Sequence, residues 1–291
     1  DMAGIQGIND RRNRLEFSKP VALGAGSYLD PCAAGPHKFE DFITPVPATF
    51  ETESSNYSIV QSGTPDVAAA ILATAGAPVA GHGGWISGSV QATDGEVDEL
   101  RLGGGNWLFP NALPTGGLII AEAGLVLNAT TARICFAGLS GFASTVSGDG
   151  PIAITTGTTL VDGSAAGDAA GFVQSSLATA AATWYTGVVK ATTVGTAYLT
   201  SAGTQGPAMD AATADDYTRL RVEVDVDGDC FFYSGISTSL ARASIPLVFR
   251  SSVAAGITAA EGYAPWLSAA STTSTAVIWE YDYIFGAATH A

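Results

Sequence analysis

The sequence predicts an antiparallel all-β protein, and three observations carry that expectation. After about residue 50, short runs that alternate apolar and polar residues recur, bounded by Gly, Asn, Asp or Ser. Charged residues make up only 13% of the 291, too few to line surface helices with i,i+4 ion pairs. Gly, Ala, Ser and Thr fill the difference, which suits short strands and tight turns. Regular spacing of this kind fits a sandwich or a barrel.

The elements follow in order. Residues 1–46 hold Pro20, Pro31, Pro36 and Pro45, which neither a helix interior nor a central strand accepts. This stretch reads as an extended N-terminal arm, and residues 47–291 as one β domain. PDVAAAILATAG (65–76), with Asp66 near its start, reads as a short helix or nearly as well as a strand. Strands are expected in GWISGSVQAT (84–93), GEVDELRLG (95–103), GGLIIAEAGLVLN (116–128), ARICFAGL (132–139), AGFVQSSL (170–177), TWYTGVVKAT (183–192) and VGTAYLTSAG (194–203). Others are expected in YTRLRVEVDV (217–226), DCFFYSG (229–235), ASIPLVFRSSVA (243–254), GYAPWLSAAS (262–271) and TAVIWEYDYIFG (275–286). In the first of these last five, Leu220, Val222, Val224 and Val226 form a packed face, while Arg219, Arg221, Glu223 and Asp225 form a wet one. In the last, Trp279, Tyr281, Tyr283 and Phe285 form the packed face.

Net charge is −15, and its sign is uneven. The first 38 residues hold five cationic and four acidic side chains, so they carry +1 and the remainder −16. So acidic a body repels nucleic acid and anionic membranes, and neither is expected as a partner. NDRRNR (9–14) reads either as a contact for an acidic partner or as a solvated arm. No apolar run of about 18 residues suggests a membrane span, and no secretory leader is read at the start. The three cysteines, Cys32, Cys135 and Cys230, make no CxxC pair. Cys135 and Cys230 lie in strand-like runs as small buried hydrophobes.

Several groups could carry chemistry, and none has the pattern that chemistry needs. DVDGDC (225–230) looks like a calcium loop, but its glycine follows the second aspartate and position 12 is Ile236. Asp227-Gly228 between alternating runs instead predicts a type I′ hairpin turn. His37, His82 and His290 are scattered, with no set of three or four zinc ligands. No G-x-S-x-G elbow exists. RLGGGNW (101–107) lacks the GK[ST] of a phosphate loop and reads as a connection between strands. Trp85, Trp107, Trp184, Trp266 and Trp279 sit in strand-like runs and read as core or contact residues; if exposed, they would suit sugar stacking.

Three pieces in order carry a resemblance: ARICFAGLSGF with DAAGFVQSS, then DDYTRLRVEVDVDGDCFFYSG, then PLVFRSS followed by AAEGYAPWLSAASTTSTAVIWEYDYIF. Together they resemble the concanavalin A-like (laminin G-like) jelly rolls, over roughly residues 84–286, and in particular virion proteins of tailed bacteriophages of the capsid-decoration type. The resemblance implies an antiparallel jelly-roll β-sandwich with an extended N-terminal arm. It implies a structural virion protein on the outer capsid surface that bridges adjacent subunits of the major capsid protein. It also implies a homo-oligomer, a trimer, whose arm makes assembly contacts through Arg11, Arg12, Arg14, Phe17 and Tyr28. The alternative is a carbohydrate-binding head-fibre or tail adhesin that touches a host-surface glycan. Glycosidases of the same fold carry E-x-D-x-(x)-E on one strand. Here Glu96 and Asp98 share a face, Leu100 falls where the third acid belongs, and Glu99 points the other way. An exposed strand face is therefore expected, and no catalytic, cofactor-binding or metal-binding residues.

Overall fold

Among the described residues, sixteen β-strands are arranged as two seven-stranded antiparallel sheets and one separate hairpin. The computed structural model describes residues 34–40, 57–62, 86–90, 96–103, 105–127, 131–141, 150–157, 159–162, 167–190, 193–194, 217–237, 249–273 and 277–289. The expected arm contacts Arg11, Arg12, Arg14, Phe17 and Tyr28 lie outside the described residues, as does the helix-or-strand segment 65–76.

The first sheet runs β1 (Ala34–Glu40), β16 (Val277–Thr289), β5 (Leu118–Leu127), β12 (Tyr217–Asp225), β13 (Cys230–Ser237) and β14 (Phe249–Val253). β3 (Ile86–Val90) also pairs with β16, on its first half, while β1 takes the second half. The second sheet runs β11 (Thr193–Val194), β10 (Tyr185–Lys190), β9 (Ala169–Ser175), β6 (Arg133–Ser140), β15 (Ala264–Ser271), β4 (Val97–Leu102) and β2 (Tyr57–Ser62). β7 (Ile152–Thr156) and β8 (Thr159–Asp162) form the hairpin. The chain is thus an antiparallel jelly-roll β-sandwich, as the sequence pattern implied.

Part of the stretch read as arm is a strand. β1 carries Pro36, which has no N–H for a ladder. It is accommodated because β1 is an edge strand and its register with β16 shifts between Ala34 and His37. β2 and the β7–β8 hairpin were not expected from the sequence either. PIAITTGTTLVDG is short and Thr-rich, so its alternation is weak.

Alternation decides the layers. Ile119, Ala121, Ala123 and Leu125 of β5 face Cys135, Ala137 and Leu139 of β6, and Leu220, Val222 and Val224 of β12 join them in the core between the sheets. The opposite face of the second sheet is also covered. Ile152, Ile154 and Leu160 of the hairpin pack on Ile134, Phe136, Val173, Tyr185 and Trp266. Burying three such aliphatic side chains is worth about 5 kcal/mol, enough to hold a short hairpin against a sheet. The sandwich therefore has a third layer on one side. Between the sheets, small residues leave a void of about 10 Å³ beside Ala121, Ala123, Ala137 and Gly138, room for about one water.

Three expectations about faces and turns are corrected. The aromatic stripe of β16 does not lie on one face. Asp282 is skipped where the β16–β5 register jumps from Tyr281↔Leu125 to Tyr283↔Gly124, which reverses the alternation. Trp279 and Tyr281 enter the core between the sheets, whereas Tyr283 and Phe285 pack on the outer face with Ile120 and Ala287. The face of β12 expected to be wet is buried at Arg219, Arg221 and Glu223. The 225–229 turn is not type I′. Gly228 alone has positive φ, +86°, its N–H donates to Asp225 O at 3.1 Å, and Asp225 N–H donates to Asp229 O at 3.1 Å. This is a three-residue loop closed by a left-handed glycine.

Candidate functional site

The densest polar chemistry among the described residues lies on the outer face of the first sheet. β12 points Tyr217, Arg219, Arg221 and Glu223 to that face, because they alternate with Leu220, Val222 and Val224 in the core. β5 sets Glu122 directly opposite Arg221 and Gly124 opposite Arg219. Glu122, only 2% exposed, lies 3.3 Å from Arg219 Nε and 3.6 Å from Arg221 Nη1. Tyr283 donates its hydroxyl to Glu122 Oε1 at 2.6 Å. Arg221 also donates to Glu223 Oε1, and its guanidinium lies over the Tyr233 ring at 5.9 Å. At the bulge, Tyr217 donates to Asp282 Oδ2 at 2.6 Å.

This layer holds two guanidiniums and two glutamates, so its inner charges balance. Burial depresses the Arg219 guanidinium, but Glu122 and the phenols of Tyr283 and Tyr217 outweigh it and raise the group overall. Burial, then Glu122, holds the Tyr283 phenol well above its usual range. Both shifts favour the protonated form, so neither Arg219 nor Tyr283 is a group poised to trade protons near neutrality. The geometry makes an internal clamp across three strands.

The acids of β4 do not converge. Asp98 and Glu99, and Glu96 just before the strand, are all buried, which corrects the exposed face expected for GEVDELRLG. Asp98 accepts from Trp279 Nε1 at 3.0 Å on the side of Leu100 and Leu102, between the sheets. Val97, Glu99 and Arg101 alternate to the other side, where Val97 joins the cluster around Trp266 and Arg101 lies 5.2 Å from the Trp266 ring. Glu99 therefore sits across the strand from Asp98, as its sequence position implied. Trp184, Trp266 and Trp279 are core residues as expected, and Trp107 is half-buried with its indole N–H on Leu102 O at 2.9 Å. Trp85, His82, His290 and Cys32 lie outside the described residues.

The aspartates of the 225–229 turn have structural partners. Asp225 Oδ1 accepts from the backbone of Asp227 at 2.9 Å and of Asp229 at 3.0 Å, and Asp229 Oδ1 accepts from Ala255 N. Buried Asp168 accepts from Thr258 N at 2.5 Å and from the Tyr263 hydroxyl. Together they pin the 254–263 loop to the hairpin. No group of three His, Cys, Asp or Glu among the described residues is placed to hold a metal ion.

Sequence reasoning missed two features. Glu122 is one: an acid inside LIIAEAGLVL signals a buried charge that needs partners. Phe109 stands on a short 3-10 turn, Pro110–Ala112, and is 42% exposed beside exposed Asn111.

The thiols set a pH dependence. Burial pushes Cys135 from its usual 9.0 to about 11, and Cys230 still further, with Asp229 and Asp225 adding to the effect. Burial likewise raises the Tyr281 phenol, with Cys135 and Asp98 adding to it. In the unfolded chain these groups lose protons first, so it binds fewer protons than the native state and stability falls as pH rises. Stability is expected to be level in this respect below pH 9 and to decline between about pH 9 and 11, as read by urea midpoints across that range. Cys135 and Cys230 are expected to resist iodoacetamide at pH 8 until the protein is unfolded.

No family model matches the sequence, and no curated protein sequence matches it. Solved structures do resemble the fold. A protein of unknown function from Shewanella oneidensis MR-1 superposes with a TM-score of 0.55 at 14% identity, covering 87% of this chain and 86% of that one. Peanut lectin gives 0.47 at 9% identity over 88% and 98% of the two chains. The β-glucanase of Bacillus licheniformis gives 0.46 at 6% over 87% and 98%. At these identities the likeness is one of architecture alone.

Proposed function

We propose that this chain is a non-enzymatic structural protein of a bacteriophage virion, a capsid decoration or cement protein. One observation supports the non-enzymatic part: among the described residues, the acids of β4 and β5 are held by partners inside the sandwich. Glu122 is clamped by Arg219, Arg221 and Tyr283, Asp98 is bound to Trp279, and Glu99 lies on the other side of β4. Charge clamps and a third layer make a stiff body, which suits a part whose work is geometric. In this reading the sandwich is the platform, and residues 1–46 bridge subunits of the major capsid protein. The resemblance in sequence supports the virion setting, and a closed trimer fits a lattice symmetry axis. Co-sedimentation with purified capsids tests it. The intact chain should bind capsids and run as a trimer of the 29.4 kDa protomer, and removal of residues 1–33, which leaves β1 in place, should abolish capsid binding. A monomer that stays in the supernatant would reject the proposal.

A second reading is favoured by Phe109. An exposed ring beside Asn111 and half-buried Trp107 is the kind of platform on which a sugar stacks. A carbohydrate-binding head-fibre or tail adhesin would then give a specific glycan-array signal that Phe109→Ala removes.

A further inference from the structure

We propose that the interior corner at Arg133 is a binding site for a small monovalent anion of the halide type. Arg133 opens β6, whose alternate residues Cys135, Ala137 and Leu139 belong to the core between the sheets. The same alternation turns Arg133 inward, and its exposure is 0%. Its Nη2 donates to Gln174 Oε1, and Gln174 is itself fixed by its own amide on Ala182 O at 2.7 Å. Nε and Nη1 of Arg133 reach no acceptor. Trp184, adjacent in the chain to the Tyr185↔Val173 pair and so beside Gln174 across β9 and β10, is fully buried, and its indole N–H also reaches no acceptor. The corner is rich in donors and poor in acceptors.

The charge is unanswered as well. Arg219 and Arg221 have Glu122 and Glu223 beside them, whereas among the described residues no carboxylate lies within ion-pair distance of Arg133. Cys135, on the same face, cannot serve, because burial keeps its thiol neutral. Glu96 shares the row, since Ser271 pairs with Arg133 and donates its N–H to Glu96 O, but this places it two strands away. A guanidinium does not shed its proton in a protein. A buried unpaired charge is destabilising, and each unmade donor adds to the deficit. An anion answers both deficits together, whereas a water accepts hydrogen bonds but leaves the charge. One guanidinium in a tight interior calls for one small, singly charged acceptor.

Crystals soaked in sodium bromide test this directly. An anomalous bromide peak within about 3.5 Å of Arg133 Nε or Nη1 is expected. In solution, melting temperature should rise saturably in chloride relative to gluconate at equal ionic strength, following the logarithm of ligand over Kd. Arg133→Met should remove the difference between the two salts. If that variant fails to fold, the bromide soak of the unaltered protein decides. No bromide peak with equal melting in both salts overturns the proposal. So does a loss of stability in Glu96→Gln as large as that in Arg133→Met without a bromide peak, because Glu96 would then be the countercharge.

Discussion

Replacing Glu122 with alanine is expected to cost about 3–5 kcal/mol, because it removes the buried carboxylate that two buried guanidiniums share. Arg219 and Arg221 both lie within ion-pair distance of that carboxylate, and Tyr283 donates to it. With the acid gone, Arg221 retains Glu223, while Arg219 loses the carboxylate 3.3 Å from its Nε. The melting temperature should fall by on the order of 10 °C. Total stability of a domain is only about 5–15 kcal/mol, so poor folding at 37 °C would follow. A compound variant separates charge imbalance from lost packing. Glu122→Met with Arg219→Leu, Arg221→Leu, Glu223→Gln and Tyr283→Phe removes both guanidiniums, both glutamates and the phenol that depends on Glu122. Its stability should lie closer to the original than that of Glu122→Ala alone, as replacement of a buried ion set by apolar side chains is often near neutral. A fall of less than 2 °C for Glu122→Ala, measured by calorimetry, would mean that water reaches this face.

That clamp also shows how far the sequence could be read. Period-2 alternation in TRLRVEVD correctly set Leu220, Val222 and Val224 apart from Arg219, Arg221 and Glu223, so strand and facing were legible. Whether the polar face met water was not, because alternation reports which residues share a side and says nothing of what lies over it. An acid on β5 directly opposite an arginine on β12 is a long-range fact of register. The same limit explains β16. Its bulge at Asp282 shifts the stripe by one residue, and no local residue type announces it. The β4 acids were sorted to the correct sides, with Asp98 and Glu99 apart, but their burial depends on Trp279 and Trp266, far along the chain. Arg133 was legible only as the start of ARICFAGL. That its guanidinium would be walled in by β9 and β10 required the fold.

Gly228 offers the second large effect, and its two causes can be separated. Its φ of +86° is one that side chains with a Cβ adopt at about 1–2 kcal/mol. Independently, a Cβ there would meet Ile257 O at 2.1 Å, a backbone atom that cannot rotate away. The approach is close because Ile257 N donates to Gly228 O at 3.2 Å, joining the turn to the 254–263 loop. Asp229 holds Ala255 and Asp168 holds Thr258 in the same loop. Gly228→Ala is therefore expected to lose about 2–5 kcal/mol, strain and overpacking combined. Asparagine tolerates positive φ far better than alanine. If backbone strain dominated, Gly228→Asn would recover most of the loss. The clash with Ile257 predicts instead that Asn and Ala fall together, and that both expose the loop to limited proteolysis between residues 254 and 263. Recovery by Asn to within about 0.5 kcal/mol of the original, on the scale of an ordinary surface change, would show that the loop yields freely and that the turn, not its docking, sets the cost.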